Sequence, residues 1–170
     1  MTSPAAVQGT DPGEALAPSE LRYLVLAAQR EGNRALMRLL GPLDLTPSQA
    51  EILLVLDEFG PLTLRHVGEM IVCEAGSPSR IVDVLAKRRL IRRRTLAADR
   101  RSVQLELTEA GAALVPHLKE IENGLDQHAA AVLSPEEQAA VGAALRKFLA
   151  GTGSEGVFER RFAGKRHHAQ

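Results

Sequence analysis

Apolar residues recur along the chain at two periods, and the switch between them marks out the elements. Leu21, Leu24, Val25, Ala28, Ala35, Leu36, Leu39 and Leu40 follow the helical period from Ser19-Glu20 to Gly41-Pro42, which ends the run. Gly32, in the middle, costs about 1 kcal/mol against Ala and marks a bend or a close crossing. Thr46-Pro47-Ser48-Gln49 is a capping-box pattern with Pro at the first helical position. The helix it opens carries Ile52, Leu53, Val55 and Leu56 and stops near Phe59-Gly60-Pro61. Thr63 caps a shorter helix whose Leu64, Val67, Met70 and Ile71 face inward. Ser77-Pro78 opens the next, with Ile81, Val84 and Leu85 buried and Ser79, Arg80, Asp83 and Lys87 outside.

The period then changes to two. Residues 90–96 and 103–107 read as strands around the polar tip 97–102, and Val103, Leu105 and Leu107 alternate with Gln104 and Glu106. After Thr108 a long helix runs through Leu114, Val115, Leu118, Ile121 and Leu125 to about Val132, bent locally by Pro116. Ser134-Pro135-Glu136-Glu137 places a cap, a proline and two acids in the order a helix start favours. Val141, Leu145, Phe148 and Leu149 give that last helix an apolar stripe. Residues 1–18, rich in Ala, Pro, Gly, Ser and Thr, read as a disordered tail. Residues 151–170 read as a linker and a basic tail of weak helical character. The expected fold is mainly α with a small β-hairpin wing. Helix, helix, then hairpin is the order of a winged helix-turn-helix, which presents its second helix to a DNA major groove.

Charge strengthens that reading. The chain carries 21 basic and 21 acidic residues and no net charge. Between Gly76 and Arg101, however, Arg80, Lys87, Arg88, Arg89, Arg92, Arg93, Arg94, Arg100 and Arg101 face only Asp83 and Asp99. A solvated charged face normally mixes its signs. This one does not, and such an asymmetry points to nucleic acid or another anionic surface.

Three jobs are expected of these side chains. Ser77, Ser79 and Arg80 stand in the first turn of the recognition helix, where side chains meet base edges, and Arg can bond a guanine at O6 and N7. For Ser77 the stronger expectation is ordinary capping. Lys87, Arg88, Arg92 and Arg94 are placed to neutralise phosphates, which sets affinity and register without reading sequence. Arg100 and Arg101 at the wing tip suit a narrow minor groove, with Asp99 holding a wing arginine by a charge-assisted bond. Thr63, at the head of the preceding helix, is counted among the DNA-facing positions.

The same stretch resembles the MarR family of bacterial winged-helix regulators. Arg80-Ile81-Val82-Asp83-Val84-Leu85 is similar to the family's Arg-Leu-Val-Asp-x-Leu segment on the recognition helix. Asp99-Arg100-Arg101 is similar to its wing-tip signature, and Leu107-Thr108-Glu109-Ala110-Gly111 to the Leu-Thr-x-x-Gly that opens the next helix. The resemblance covers roughly residues 19–150. It implies a winged helix-turn-helix at about 45–108, flanked by dimerisation helices at about 19–40 and 109–150. It also implies a homodimer on a pseudo-palindromic double-stranded operator, acting as a repressor that a small effector, often aromatic or anionic, releases. One departure stands out. Aligned through Arg80-Ile81-Val82-Asp83, the family's usual cap falls near Glu74, a turn before Ser77, and Gly76 and Pro78 predict a recognition helix shorter at its leading end. The competing reading is a winged-helix interaction subunit that sets its basic face against an acidic protein partner.

Other chemistries find little support. No nucleophile-base-acid set, Gly-rich phosphate loop or paired-carboxylate motif stands out, so an enzyme is not expected, nor a cofactor. The five His residues lack ligand spacing, so no metal site is expected. Cys73 is the one cysteine and directly precedes the recognition helix. Exposed beside positive charge it would be a redox switch; behind Ile71-Val72 it would be a small buried hydrophobe, the usual state of a free cysteine. No apolar run reaches the ~18 residues of a membrane span, and the first residues lack the form of a secretory signal. The expected location is the cytoplasm.

Overall fold

The computed structural model describes residues 16–72, 77–96 and 99–162, with the backbone alone described at 96 and 99–102. The chain divides after Leu36 into two compact units. The first holds most of α1 (Pro18–Leu40), an unbroken helix that continues through Gly32. Leu21, Tyr23, Leu24 and Leu26 all stand exposed on it.

In the second unit a 3-10 turn, Gly41–Leu43, ends with Asp44 in the left-handed region (φ 52°) and leads into α2 (Pro47–Phe59). The capping box is present as the sequence predicts. Gln49 N donates to Thr46 Oγ1 at 3.3 Å, and Thr46 N donates to Gln49 Oε1 at 3.0 Å. Gly60, at φ 76°, ends the helix in a conformation that a side chain rarely adopts. Ile52, Leu53, Val55 and Leu56 of α2 form the centre of the core.

Around α2 pack α3 (Leu64–Gly68), α4 (Pro78–Lys87) and α5 (Glu109–Val132), with α6 (Pro135–Leu149) and α7 (Glu155–Phe162) completing the chain. The core takes Val67 from α3, Ile81, Val82 and Leu85 from α4, and Val115 and Leu118 from α5. Two expected burials do not occur. Leu64 is 37% exposed and Val84 41% exposed. Positions 78, 81, 82 and 85 share one helical stripe, and Val84 falls beyond its edge. Lys119 of α5 pairs with Asp57 of α2 at 2.7 Å, and that hydrogen bond is the main reason its ammonium titrates above the ordinary lysine range.

The wing is a three-stranded antiparallel sheet rather than a bare hairpin. β3 (Asp99–Leu107) lies between β1 (Leu62–Thr63) and β2 (Ile91–Leu96), pairing Leu62 with Leu105 and Ile91 with Leu107. The predicted tip, 97–102, is therefore too long, because β3 already begins at Asp99, with a register shift after Thr95. The predicted alternation holds only in part. Leu105 is buried, while Val103 is 42% exposed.

The joint between α4, wing and α5 explains the Leu-Thr-x-x-Gly motif physically. α4 closes with Arg89 at φ 57°, Arg89 N donating to Ala86 O and Leu90 N to Leu85 O, a Schellman closure with arginine where glycine is usual. Thr108 then does two things. Its backbone N–H donates to Leu90 O at 3.0 Å and its hydroxyl to Arg89 O at 2.6 Å, with Leu90 O 3.1 Å away, and the hydroxyl accepts from Gly111 N at 3.1 Å to cap α5. A side chain at Gly111 would put its Cβ 2.0 Å from Leu90 O, so only glycine lets α5 start against the wing.

Candidate nucleic-acid interface

The recognition helix α4 begins at Pro78 with Ser77 as its cap residue. Ser77 does not cap through its side chain, contrary to the sequence expectation; its hydroxyl pairs with that of Ser79 at 2.9 Å. The ten-residue α4 agrees with a helix shortened at its leading end. Arg80 is exposed in the first turn and has no ion-pair partner among the described residues. Asp83, its nearest acid in sequence, is engaged by Arg93 at 2.5 Å. Lys87, in the last turn, is also exposed and without an ion pair among the described residues.

The arginines of β2 differ. Arg92 Nε pairs with Glu106 at 2.5 Å across the β2–β3 ladder, and Arg94 reaches the other oxygen of Glu106 at 4.0 Å. Both remain about two-thirds exposed, so water screens these pairs and each contributes at most about 1 kcal/mol. A phosphate can therefore compete for either guanidinium. Arg88 cannot serve that way. It is turned inward, donating to the carbonyls of Asp44 and Leu43 and lying 3.4 Å from the Asp44 carboxylate, and so fastens α4 to the start of α2. Its assignment to phosphate is corrected to a structural one; a run of basic residues does not reveal which member folds back.

Thr63 spends its hydroxyl on α3, accepting from His66 N at 3.3 Å with the His66 ring 3.1 Å away. The Asp99, Arg100 and Arg101 side chains and all of Cys73 lie outside the described residues; the backbone places the first three at the distal end of β3. Among the described residues no three His, Cys, Asp or Glu side chains gather to hold a metal, and no helix is long and apolar enough to cross a membrane.

Two features were missed from sequence. The first is a cleft of about 510 Å³ in which Leu39, Leu43, Ile121 and Leu125 supply apolar walls and His117 and Glu120 the polar groups. The periodicity assigns these residues to separate helices and says nothing of the space between them. The second is a polar cluster behind the helix-turn-helix. Glu51, almost fully buried on α2, accepts from Val72 N at 2.9 Å and pairs with Arg161 of α7. Beside it the Arg65 hydrogen bond, against opposing desolvation and with help from the charge of Arg160, holds the Glu69 carboxyl below its ordinary range.

A short helix leading to a second helix over a basic three-stranded wing defines a winged helix-turn-helix protein. Comparison with known proteins narrows this. Residues 43–102 match the model of the MarR family. Over 96 residues, 56% of this chain, the sequence is 33% identical to an organic hydroperoxide resistance transcriptional regulator of Bacillus subtilis (strain 168), and the match spans 65% of that relative, just under two thirds. A MarR variant from E. coli, solved in complex with operator DNA, superposes with a TM-score of 0.67 at 25% identity, over 76% of this chain and 93% of its own. BpsR of Bordetella bronchiseptica, whose DNA binding is regulated by 6-hydroxynicotinic acid, superposes with a TM-score of 0.66 at 25% identity, over 76% and 98%. The winged-helix segment of this chain is thus similar to the MarR family in sequence and in fold.

Proposed function

We propose that the protein is a homodimeric, sequence-specific transcriptional regulator that binds a pseudo-palindromic operator in the cytoplasm and is released by a small effector. The observation that carries it is Arg80. In a molecule where most described arginines of the basic stretch are ion-paired or folded inward, the one in the first turn of the recognition helix is exposed with no such partner among the described residues. An exposed guanidinium there suits a guanine edge. Ser79 stands beside it; Lys87, Arg92 and Arg94 take phosphates, and Arg100 and Arg101 extend the contact from the wing into the minor groove. Thr63 supports this face by ordering α3. The dimer is supported by the exposed apolar residues of α1 and by Val141, Leu145 and Phe148 of α6.

The effector's place is the 510 Å³ cleft, within the usual size for a small-molecule site. Its apolar walls suit a flat ring, and His117 supplies a group that can take an acidic substituent. The DNA-binding relatives, one of them regulated by an aromatic acid, support the same reading. Effector release requires only that the ligand prefer one spacing of the two recognition helices.

The test is fluorescence anisotropy on a duplex selected from bound genomic fragments and on its scrambled counterpart. Arg80→Ala is expected to cost ~1–3 kcal/mol on the selected duplex and to flatten discrimination. Arg92→Ala is expected to weaken both duplexes alike and lower the salt slope by about 1. Equal wild-type affinity for both duplexes would sink the regulator reading and assign the basic face to an acidic protein partner.

A further inference from the structure

The C-terminal helix, expected from sequence as the weakly helical part of a tail, is built into the back of the helix-turn-helix. Val157 is buried, and Phe158 stacks on Phe162 at 6.2 Å between ring centres. Consecutive arginines make the attachment. Arg160 donates through Nε and Nη2 to the carbonyl of Glu69, at 3.1 and 2.9 Å, closing the C-terminus of α3. Arg161, only 12% exposed, pairs with the Glu51 carboxylate and lies 3.8 Å from Glu122 of α5. The same Glu51 oxygen receives the N–H of Val72.

Glu69 and Val72 lie on the chain between α3 and the recognition helix, and Val72 is six residues before Pro78. Each is held by a group that α7 supplies or neutralises. Glu51 is 7% exposed on α2, so its charge needs a cation close by. Arg161 provides that cation, at the same Glu51 oxygen that accepts from Val72. At its other side α7 approaches α6 through Glu159 and Arg146, 3.9 Å apart. One short helix thus touches α6, where the second copy is expected to sit, and both backbone anchors ahead of the recognition helix.

We propose that α7 is a strap that sets the recognition helix for base reading, with Arg160, Arg161 and Glu51 as positioning residues that touch no DNA. This rests on the regulator reading above for its effect on DNA, but not for its effect on the chain. A structural contribution alone would lower stability throughout the unit. A positioning role acts on the entry to α4 and on discrimination.

Two measurements on full-length variants separate these. In native-state hydrogen exchange without DNA, Arg161→Met is expected to speed exchange of the Val72 amide at least about tenfold, leaving the amides of Val115 and Leu118 in α5 unchanged. Unchanged exchange at Val72, or a rise in step with α5, overturns the strap. In anisotropy, Arg161→Met is expected to weaken the selected duplex about tenfold, the scale of an ordinary coupling between sites. Binding to the scrambled duplex and its salt slope should stay unchanged, and Arg161→Lys should recover part of the loss. A uniform loss on both duplexes with a reduced slope would instead make Arg161 a phosphate contact and end the proposal. Should the wild type fail to discriminate between duplexes, the regulator reading falls, and hydrogen exchange still decides whether α7 holds Val72.

Discussion

Helices α2 and α6 begin alike and end in opposite circumstances. Each opens with a hydroxyl cap, a proline at the first position and a reciprocating Gln or Glu, and in each the full capping box forms. Each carries apolar residues at helical spacing. Yet α2 buries Ile52, Leu53, Val55 and Leu56 almost completely, whereas α6 has no buried residue and leaves Phe148 62% exposed. Local sequence makes a helix; it does not say what will cover it. For α2 the cover is α3, α4, α5 and the wing. For α6 it is missing from a single chain, and a second protomer is the cover we propose.

Truncating the two apolar stripes should therefore fail in different ways. Leu53→Ala removes side-chain atoms from a closed core, where the cavity cannot collapse, and is expected to cost ~2–5 kcal/mol in urea unfolding. A loss below about 1 kcal/mol would mean α2 is not the centre of the core. Phe148→Ala touches almost nothing within one chain. Its cost, ~2–4 kcal/mol for an aromatic anchor, should appear in association instead. Sedimentation at falling concentration would show the variant separating into single chains while wild type stays at twice the chain mass. A wild type that sediments as a folded single chain would remove the dimer from the proposal.

How far the sequence foretold this molecule follows the same division. Elements set by local signals were legible: the caps at Thr46, Thr63 and Ser134 are where their patterns place them, whereas the Ser77 side chain does not cap. What was lost depends on distant partners. Nothing near Arg88 in sequence reveals Asp44 as its acceptor, and nothing in the Val84 pattern favours Ile81 and Val82 over it until the α2 face is fixed. Strand β1, two residues long, carries no period at all and exists because β3 offers it a ladder. The tail became α7 for the same reason, since Glu51, 110 residues earlier, supplies the charge that holds it. The basic stretch divides likewise. The charge run was plain in the sequence, while the pairing of Arg93 with Asp83, ten residues earlier, became visible only in the fold.

The caps give the finest test of the comparison, because the same atoms are deleted in two settings. Thr46→Ala and Ser134→Ala each remove a hydroxyl that accepts a backbone N–H, from Gln49 at 3.3 Å and from Glu137 at 3.2 Å. Such losses span about 0.5–2 kcal/mol. Gln49 is 9% exposed, so water cannot readily replace the lost acceptor, and its N–H is left with part of its desolvation uncompensated. Glu137 lies in the open, where water can take the hydroxyl's place. Thr46→Ala should thus fall near the upper end of that range and Ser134→Ala near the lower, both read by urea unfolding at one high protein concentration. If Ser134→Ala costs as much as Thr46→Ala, the start of α6 is itself sheltered in the assembly, and the proposed second protomer covers the α5–α6 turn as well as the stripe ending at Phe148.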